Sequence, residues 1–283
     1  MKTKKWKLFA ISISLICSGC GSSNPFMDAF LGGMSVTKVE SYFDLDQKQE
    51  KEFEKNLQQD LARLKQEQMQ KFANSMREID HRIPTEKVNS EILSETFDVL
   101  EKEYDRSASY FKNSAWKMVS SLREEQFLYF EKRVRKEIVI AREQVVESKN
   151  EELLQRFRKQ IAYWVGPTSI HQNQAIQHFI ANEPFPWKER IDNRESILNN
   201  FMAQRKDPVK LRAMTEKFLE DYDSLRTPEY AQAMQNYEGK LKGFLNKFWS
   251  TLSYDQKQAM QASLNKQALE LDRMASTQSD VFK

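Results

Sequence analysis

Residues 45–80 read LDQKQEKEFEKNLQQDLARLKQEQMQKFANSMREID. Phe53, Leu57, Leu61, Leu64, Phe72, Met76 and Ile79 step through this stretch by threes and fours, and Gln68 fills the one gap on the same stripe. That period places the apolar side chains on one face of a helix, which must be buried against other helices. A second stripe follows between Leu122 and Trp164, through Phe127, Phe130, Val134, Ile138, Ala141 and Val145, then Phe157 and Ile161. No run of strict alternation with hairpin signals competes with this reading, so a sheet is not expected.

Composition agrees. Charged residues make up 30% of the chain, and only Gly166, Gly239 and Gly243 lie beyond residue 33. Gln, Glu, Lys, Leu and Met dominate, which is helix-forming usage. Breaks are expected at Pro84, Gly166-Pro167, Pro184-Phe185-Pro186, Asp207-Pro208 and Thr227-Pro228. They predict six or seven helices in an elongated all-α bundle.

The helix starts repeat a pattern. Leu45-Asp46-Gln47-Lys48-Gln49 precedes Phe53, and Leu122-Arg123-Glu124-Glu125-Gln126 precedes Phe130. Thr168-Ser169-Ile170-His171-Gln172 leads to Ile176, and Leu252-Ser253-Tyr254-Asp255-Gln256 leads to Met260. In a capping box the cap oxygen takes the N3 amide proton, and the N3 Gln reaches back to the cap amide. Gln49, Gln126, Gln172 and Gln256 are therefore expected at N3, although Arg123 cannot supply the cap oxygen. Pairing the first start with the third and the second with the fourth gives candidate repeats 45–165 and 168–277. The alternative is four ordinary caps.

The N-terminus carries a different signal. Lys2, Lys4, Lys5 and Lys7 precede the uncharged run Leu8 to Ile16, which is too short for a membrane-spanning helix of roughly 20 residues. It has the length and flanks of a secretory signal peptide. The run ends in Ser18-Gly19-Cys20, which resembles a lipobox, with Cys17 standing where an aliphatic residue is usual. The resulting expectation is a signal peptide at 1–19, a lipidated Cys20 with a tether over 20–34, and a helical domain over 35–283. The alternative is an ordinary signal peptide cut elsewhere. Gly21 is not the Asp that resembles an inner-membrane retention signal, so an outer-membrane lipoprotein facing the periplasm is the default. The inner membrane and the cell surface stay open.

Removing residues 1–19 takes away four of the 44 bases and none of the 41 acids, leaving 40 against 41. A near-neutral body gives no electrostatic case for nucleic acid. With Cys17 removed and Cys20 acylated, neither thiol nor disulfide remains.

Catalytic constellations each lack a member. Glu78 and His81 have the spacing of half a helical di-iron site, without the second Glu-x-x-His. His171 and His178 stand two turns apart with no third ligand in sight. Neither a nucleophile elbow nor a Gly-rich phosphate loop is present. The reading is therefore no enzyme, no metal and no cofactor. The most unusual segment is Pro184-Phe185-Pro186-Trp187-Lys188-Glu189-Arg190. Trp187, Arg190 and Arg194 form a candidate partner- or ligand-facing cluster, an aromatic plate flanked by cations. The competing reading packs Trp187 into the core and pairs the arginines with acids.

The Leu-x-x-x-Gln starts are similar to the Leu-Thr-x-x-Gln motifs of the Spy and CpxP family of periplasmic helical chaperones. More of the chain resembles an uncharacterised, domain-of-unknown-function family of proteobacterial lipoproteins. Its members open with a segment like Tyr42-Phe43-Asp44-Leu45-Asp46-Gln47-Lys48-Gln49, followed by a Gly166-Pro167 start with Gln172. They then carry a Trp187-Arg190-Arg194 helix and an Arg226-Thr227-Pro228-Glu229-Tyr230 turn before a final Leu252-to-Gln256 helix. This resemblance implies an all-helical domain behind a lipid anchor and brings no activity. Two functions follow as expectations: a non-catalytic interaction domain for an envelope protein, or an ATP-independent holdase. A large exposed apolar patch would favour the holdase.

Overall fold

The computed structural model describes residues 36–85, 99, 102–103, 105–144 and 146–276. The expected signal peptide, Cys20 and the expected tether lie outside these residues, as does Val145. Among the described residues there are eleven α-helices, one 3-10 turn and no strand. The helices are α1 (Val36–Phe43), α2 (Gln47–Glu67), α3 (Met69–Thr85), α4 (Lys112–Ser120), α5 (Glu124–Glu143) and α6 (Val146–Val165). Then come α7 (Ile170–Asn182), α8 (Trp187–Gln204), α9 (Pro208–Glu220), the 3-10 turn Tyr222–Leu225, α10 (Pro228–Ser250) and α11 (Tyr254–Ser276).

The all-α bundle is as the sequence predicts, but six or seven helices is too few. The extra boundaries are ones that neither Gly nor Pro marks. Asp44 ends α1 in the left-handed region, at φ 52°, with its N–H returned to the Glu40 carbonyl. Asp is among the few non-glycine residues that tolerate this conformation. Gln68 separates α2 from α3 without redirecting the ladder, since its N–H reaches Leu64 O and Phe72 N–H reaches Gln68 O. Its side chain is buried and donates to Glu103. A polar residue on an apolar stripe is satisfied there by a buried carboxylate, itself paired with Arg106.

Both predicted stripes face inward. Phe53, Leu57, Leu61, Leu64, Phe72, Met76 and Ile79 are all buried, as are Phe127, Val134 and Ile138. Burying each such side chain stabilises the fold by about 1.5–3 kcal/mol. Helix α11 packs antiparallel on α3. Arg77 pairs with Asp272, and Asn265 Nδ2 donates to Asp80 at 2.8 Å. Helix α5 packs between α1 and α8, and α10 packs on α7 and α8.

The four Gln-bearing starts do more than cap. Asp46 and Ser169 accept from the N3 amides of Gln49 and Gln172, and Ser253 does the same for Gln256. Arg123 has no side-chain acceptor, so at α5 only the return half forms, from Arg123 N–H to Gln126 Oε1 at 3.0 Å. The starts also meet in pairs. Gln49 bonds Gln126 reciprocally, and Gln172 bonds Gln256 reciprocally at 2.9 Å both ways. Each Gln then donates its second proton to the carbonyl two residues before its partner's cap: Ser121, Asp44, Thr251 and Pro167. One hydrogen-bond scheme thus occurs twice, once between the Gln49 and Gln126 starts and once between the Gln172 and Gln256 starts.

Candidate functional site

The segment before α8 cannot continue a helix, because Pro184 and Pro186 remove donors and fix the backbone. It turns Phe185 inward, 4% exposed, and lets Trp187 open α8. The Phe185 ring lies 4.6 Å from Trp187 and 5.2 Å from Tyr237, the latter edge-on. Trp187 is half-buried, and its indole N–H donates to Asn150 Oδ1 at 3.2 Å. The ring therefore has one face on the core and one edge fixed by α6.

Two cations flank it. The Arg190 guanidinium stands 5.7 Å from both the Trp187 and Phe185 centroids, and Lys149 Nζ lies 5.8 Å from Trp187. Lys149 is 8% exposed and donates to the Ala141 carbonyl in the last turn of α5. A helix C-terminus favours a cation there. Burial nonetheless holds the Lys149 ammonium below its ordinary pKa, and the charge of Arg190 adds to the effect. Among the described residues neither Lys149 nor Arg190 has a carboxylate at ion-pair distance. The cations around them do: Arg194 pairs with Glu137, Arg142 with Asp192 and Glu195, and Lys188 with Asp192.

Of the three residues singled out in the sequence, Trp187 and Arg190 come together and Arg194 does not join them. Arg194 lies one turn on and pairs with Glu137, which also accepts from the Tyr42 hydroxyl at 3.0 Å. Lys149 and Asn150 were not legible as partners. They stand on another helix about 38 residues upstream, and no spacing rule connects them to Trp187.

A buried ionic cluster joins the 3-10 turn to α10. Arg226 is 2.7 Å from Asp223 and 3.7 Å from Glu238, with side chains 4%, 5% and 9% exposed. The guanidinium stands 5.5 Å over the Tyr230 ring. Asn193 on α8 accepts the Thr227 N–H at 2.7 Å, and the Thr227 hydroxyl caps α10 through Tyr230 N–H. The Arg226-to-Tyr230 turn is therefore pinned to α8, the helix that carries Trp187 and Arg190. Burial pushes the Tyr230 hydroxyl up to about 12, against the opposing charges of Arg190 and Arg226.

Among the described residues no group of three or more His, Cys, Asp or Glu could hold a metal ion. A surface groove of about 720 Å³ lies elsewhere, between the start of α2 and α4, and includes Lys48, Lys51, Lys55 and Lys117. It touches none of the residues above. No described helix is long and apolar enough to cross a membrane.

A family model described as a family of unknown function, DUF6279, matches residues 41–231. The match runs from beside Tyr42 past Tyr230, and so takes in Lys149, Phe185, Trp187, Arg190 and Arg226, but not Tyr237 or Glu238. Gln256 falls outside it. No curated protein and no solved structure matches the chain.

Proposed function

The chain belongs to this family of unknown function, and from that premise we propose that it is a membrane-anchored periplasmic lipoprotein whose helical body is a non-catalytic interaction domain. The observation that carries the binding role is the Trp187 plate, flanked by Lys149 and Arg190 with no carboxylate at ion-pair distance among the described residues. An aromatic face with two cations that have no carboxylate at ion-pair distance among the described residues suits an acidic group on a partner. A carboxylate-bearing segment of an envelope protein fits it. Burial disfavours the Lys149 ammonium in the free protein, and an incoming carboxylate would offset that cost.

The location rests on the N-terminal sequence. The basic start, the short apolar run and Ser18-Gly19-Cys20 support lipidation of Cys20, and Gly21 supports outer-membrane sorting. Two or more acyl chains hold a protein durably, where one holds it marginally. The recurrence of one glutamine scheme supports reading 45–165 and 168–277 as copies of one helical unit.

A holdase is the second reading. The outer side of α5, where Leu128, Tyr129, Val139 and Ile140 are exposed, is the observation in its favour. Purified residues 34–283 mixed with a thermally unfolding reporter protein separate the two. The interaction domain leaves the reporter's aggregation unchanged, whereas suppression at near-stoichiometric ratio would support the holdase.

A further inference from the structure

Helix α5 buries Gln126, Phe127, Val134 and Ile138 on one side. On the other side it leaves four large apolar residues in solvent: Leu128, Tyr129, Val139 and Ile140, 42–50% exposed. At 3.6 residues per turn these four fall on one face, with exposed Lys132 and Lys136 between them, while Glu125, paired with Arg123, and Glu143 share that face at the two ends of the helix. Neither lysine has an ion pair among the described residues. The flanks of the face are occupied: α1 covers one side through Ser41, Tyr42 and Phe43 on Arg133, Glu137 and Phe130. Helix α8 covers the other through Asn199 and Glu195 on Arg135.

We propose that this outward face of α5 is a docking surface for an anionic lipid bilayer, lying in the interface plane with Lys132 and Lys136 on lipid phosphates. The proposal rests on the lipoprotein reading. A face of apolar residues with lysines reaching past them is the composition of an interfacial helix. A second copy of this chain fits it poorly, since two-fold antiparallel pairing about residue 134 would set Lys132 against Lys136. Like charges directly opposed are unfavourable. The chain also enters beside this helix: α1 starts at Val36, and the 16 residues from Cys20 can span at most ~54 Å in any conformation. Helix α5 is about 30 Å long, so an acyl group on Cys20 stays within reach of all of it.

The test uses the full lipidated protein in vesicles of phosphatidylcholine with and without phosphatidylglycerol. Single thiols are placed by Leu128→Cys, Ile140→Cys and, as a control on α10, Gln232→Cys, and each carries an environment-sensitive label. The expected result is that labels at 128 and 140 meet a lipid-soluble quencher and the label at 232 does not, with stronger quenching on the anionic vesicles. Lys132→Ala and Lys136→Ala should each shift the docked fraction by about fivefold, the equivalent of one interfacial cation. Labels at 128 and 140 as wet as the control overturn the proposal. Shielding from water without lipid quenching also overturns it, and assigns the face to a protein, whether a second copy or a client. Acyl mass is measured on the same preparation. Its absence overturns the lipoprotein reading together with this one, whereas wet labels on acylated protein overturn the docking surface alone.

Discussion

The side-chain amides of Gln49 and Gln126 donate to each other, at 3.0 Å and 2.7 Å, across the starts of α2 and α5. Each oxygen also accepts its own cap N–H, and each nitrogen also reaches a carbonyl of the opposite chain segment. All four valences of both amides are thus used, in a setting where Gln126 is 2% exposed. Gln126→Ala should cost about 1–3 kcal/mol, because it removes one donor and one acceptor partner from the buried Gln49 amide and the Gln126 partner from two backbone groups. Urea unfolding of both single variants and the Gln49→Ala/Gln126→Ala double variant measures the coupling. Additive losses would show that the two caps act independently.

The cluster of Arg226, Asp223 and Glu238 makes a sharper prediction, since an ion left alone in the interior is penalised more than a missing pair. Arg226→Leu should destabilise by roughly 3–5 kcal/mol by removing the cation from the buried Asp223 carboxylate and from beside Glu238. Replacing Asp223 and Glu238 with apolar residues in the same chain should recover much of that loss. Equal instability of the single and triple variants would mean that Arg226 matters by shape alone.

Alkaline pH should weaken the fold through Tyr230. Its folded pKa of about 12 lies above the ordinary 10, so the phenolate is disfavoured in the native state. The stabilisation is complete below pH 10 and is lost as pH rises toward 12, amounting to roughly 3 kcal/mol at about 1.4 kcal/mol per pH unit. Burial raises Tyr237 in the same direction. Lys149 and Lys65, held below their ordinary values, act oppositely and gain stability up to about pH 10.5. The tyrosine contribution is therefore read as the difference in thermal stability between wild type and Tyr230→Phe across pH 9–11. Parallel profiles would contradict it.

The helical class was legible because residues 53–79 keep one period without interruption, and the Gln68 exception is satisfied by Glu103. The four starts were legible as caps, but their pairing was not. Reciprocal Gln bonds join residues 77 and 84 positions apart, and a local motif carries no record of which other motif it meets. The helix count fell short because Asp44, Gln68 and Gln144 end or interrupt helices without glycine or proline. In the site, Trp187 and Arg190 were found from their own segment. Lys149 was hidden for the same reason as the glutamine pairs: it meets Trp187 only through the packing of α6 on the turn before α8.

The anchor is tested by intact mass of the membrane-extracted protein. The wild type should begin at Cys20 and carry acyl mass, Cys20→Ser should leave an unlipidated precursor, and Cys17→Ser should be processed normally. A mature chain beginning elsewhere would remove the tether from the account.

The binding role is tested most directly by crosslinking in living cells, with a photoreactive side chain in place of exposed Lys188, beside the intact plate. One discrete adduct with an envelope protein is expected, lost when Arg190→Glu is introduced while the protein level and helical signal stay unchanged. An adduct that persists in Arg190→Glu, or a smear of unrelated proteins in place of a discrete adduct, would contradict the assignment of this surface.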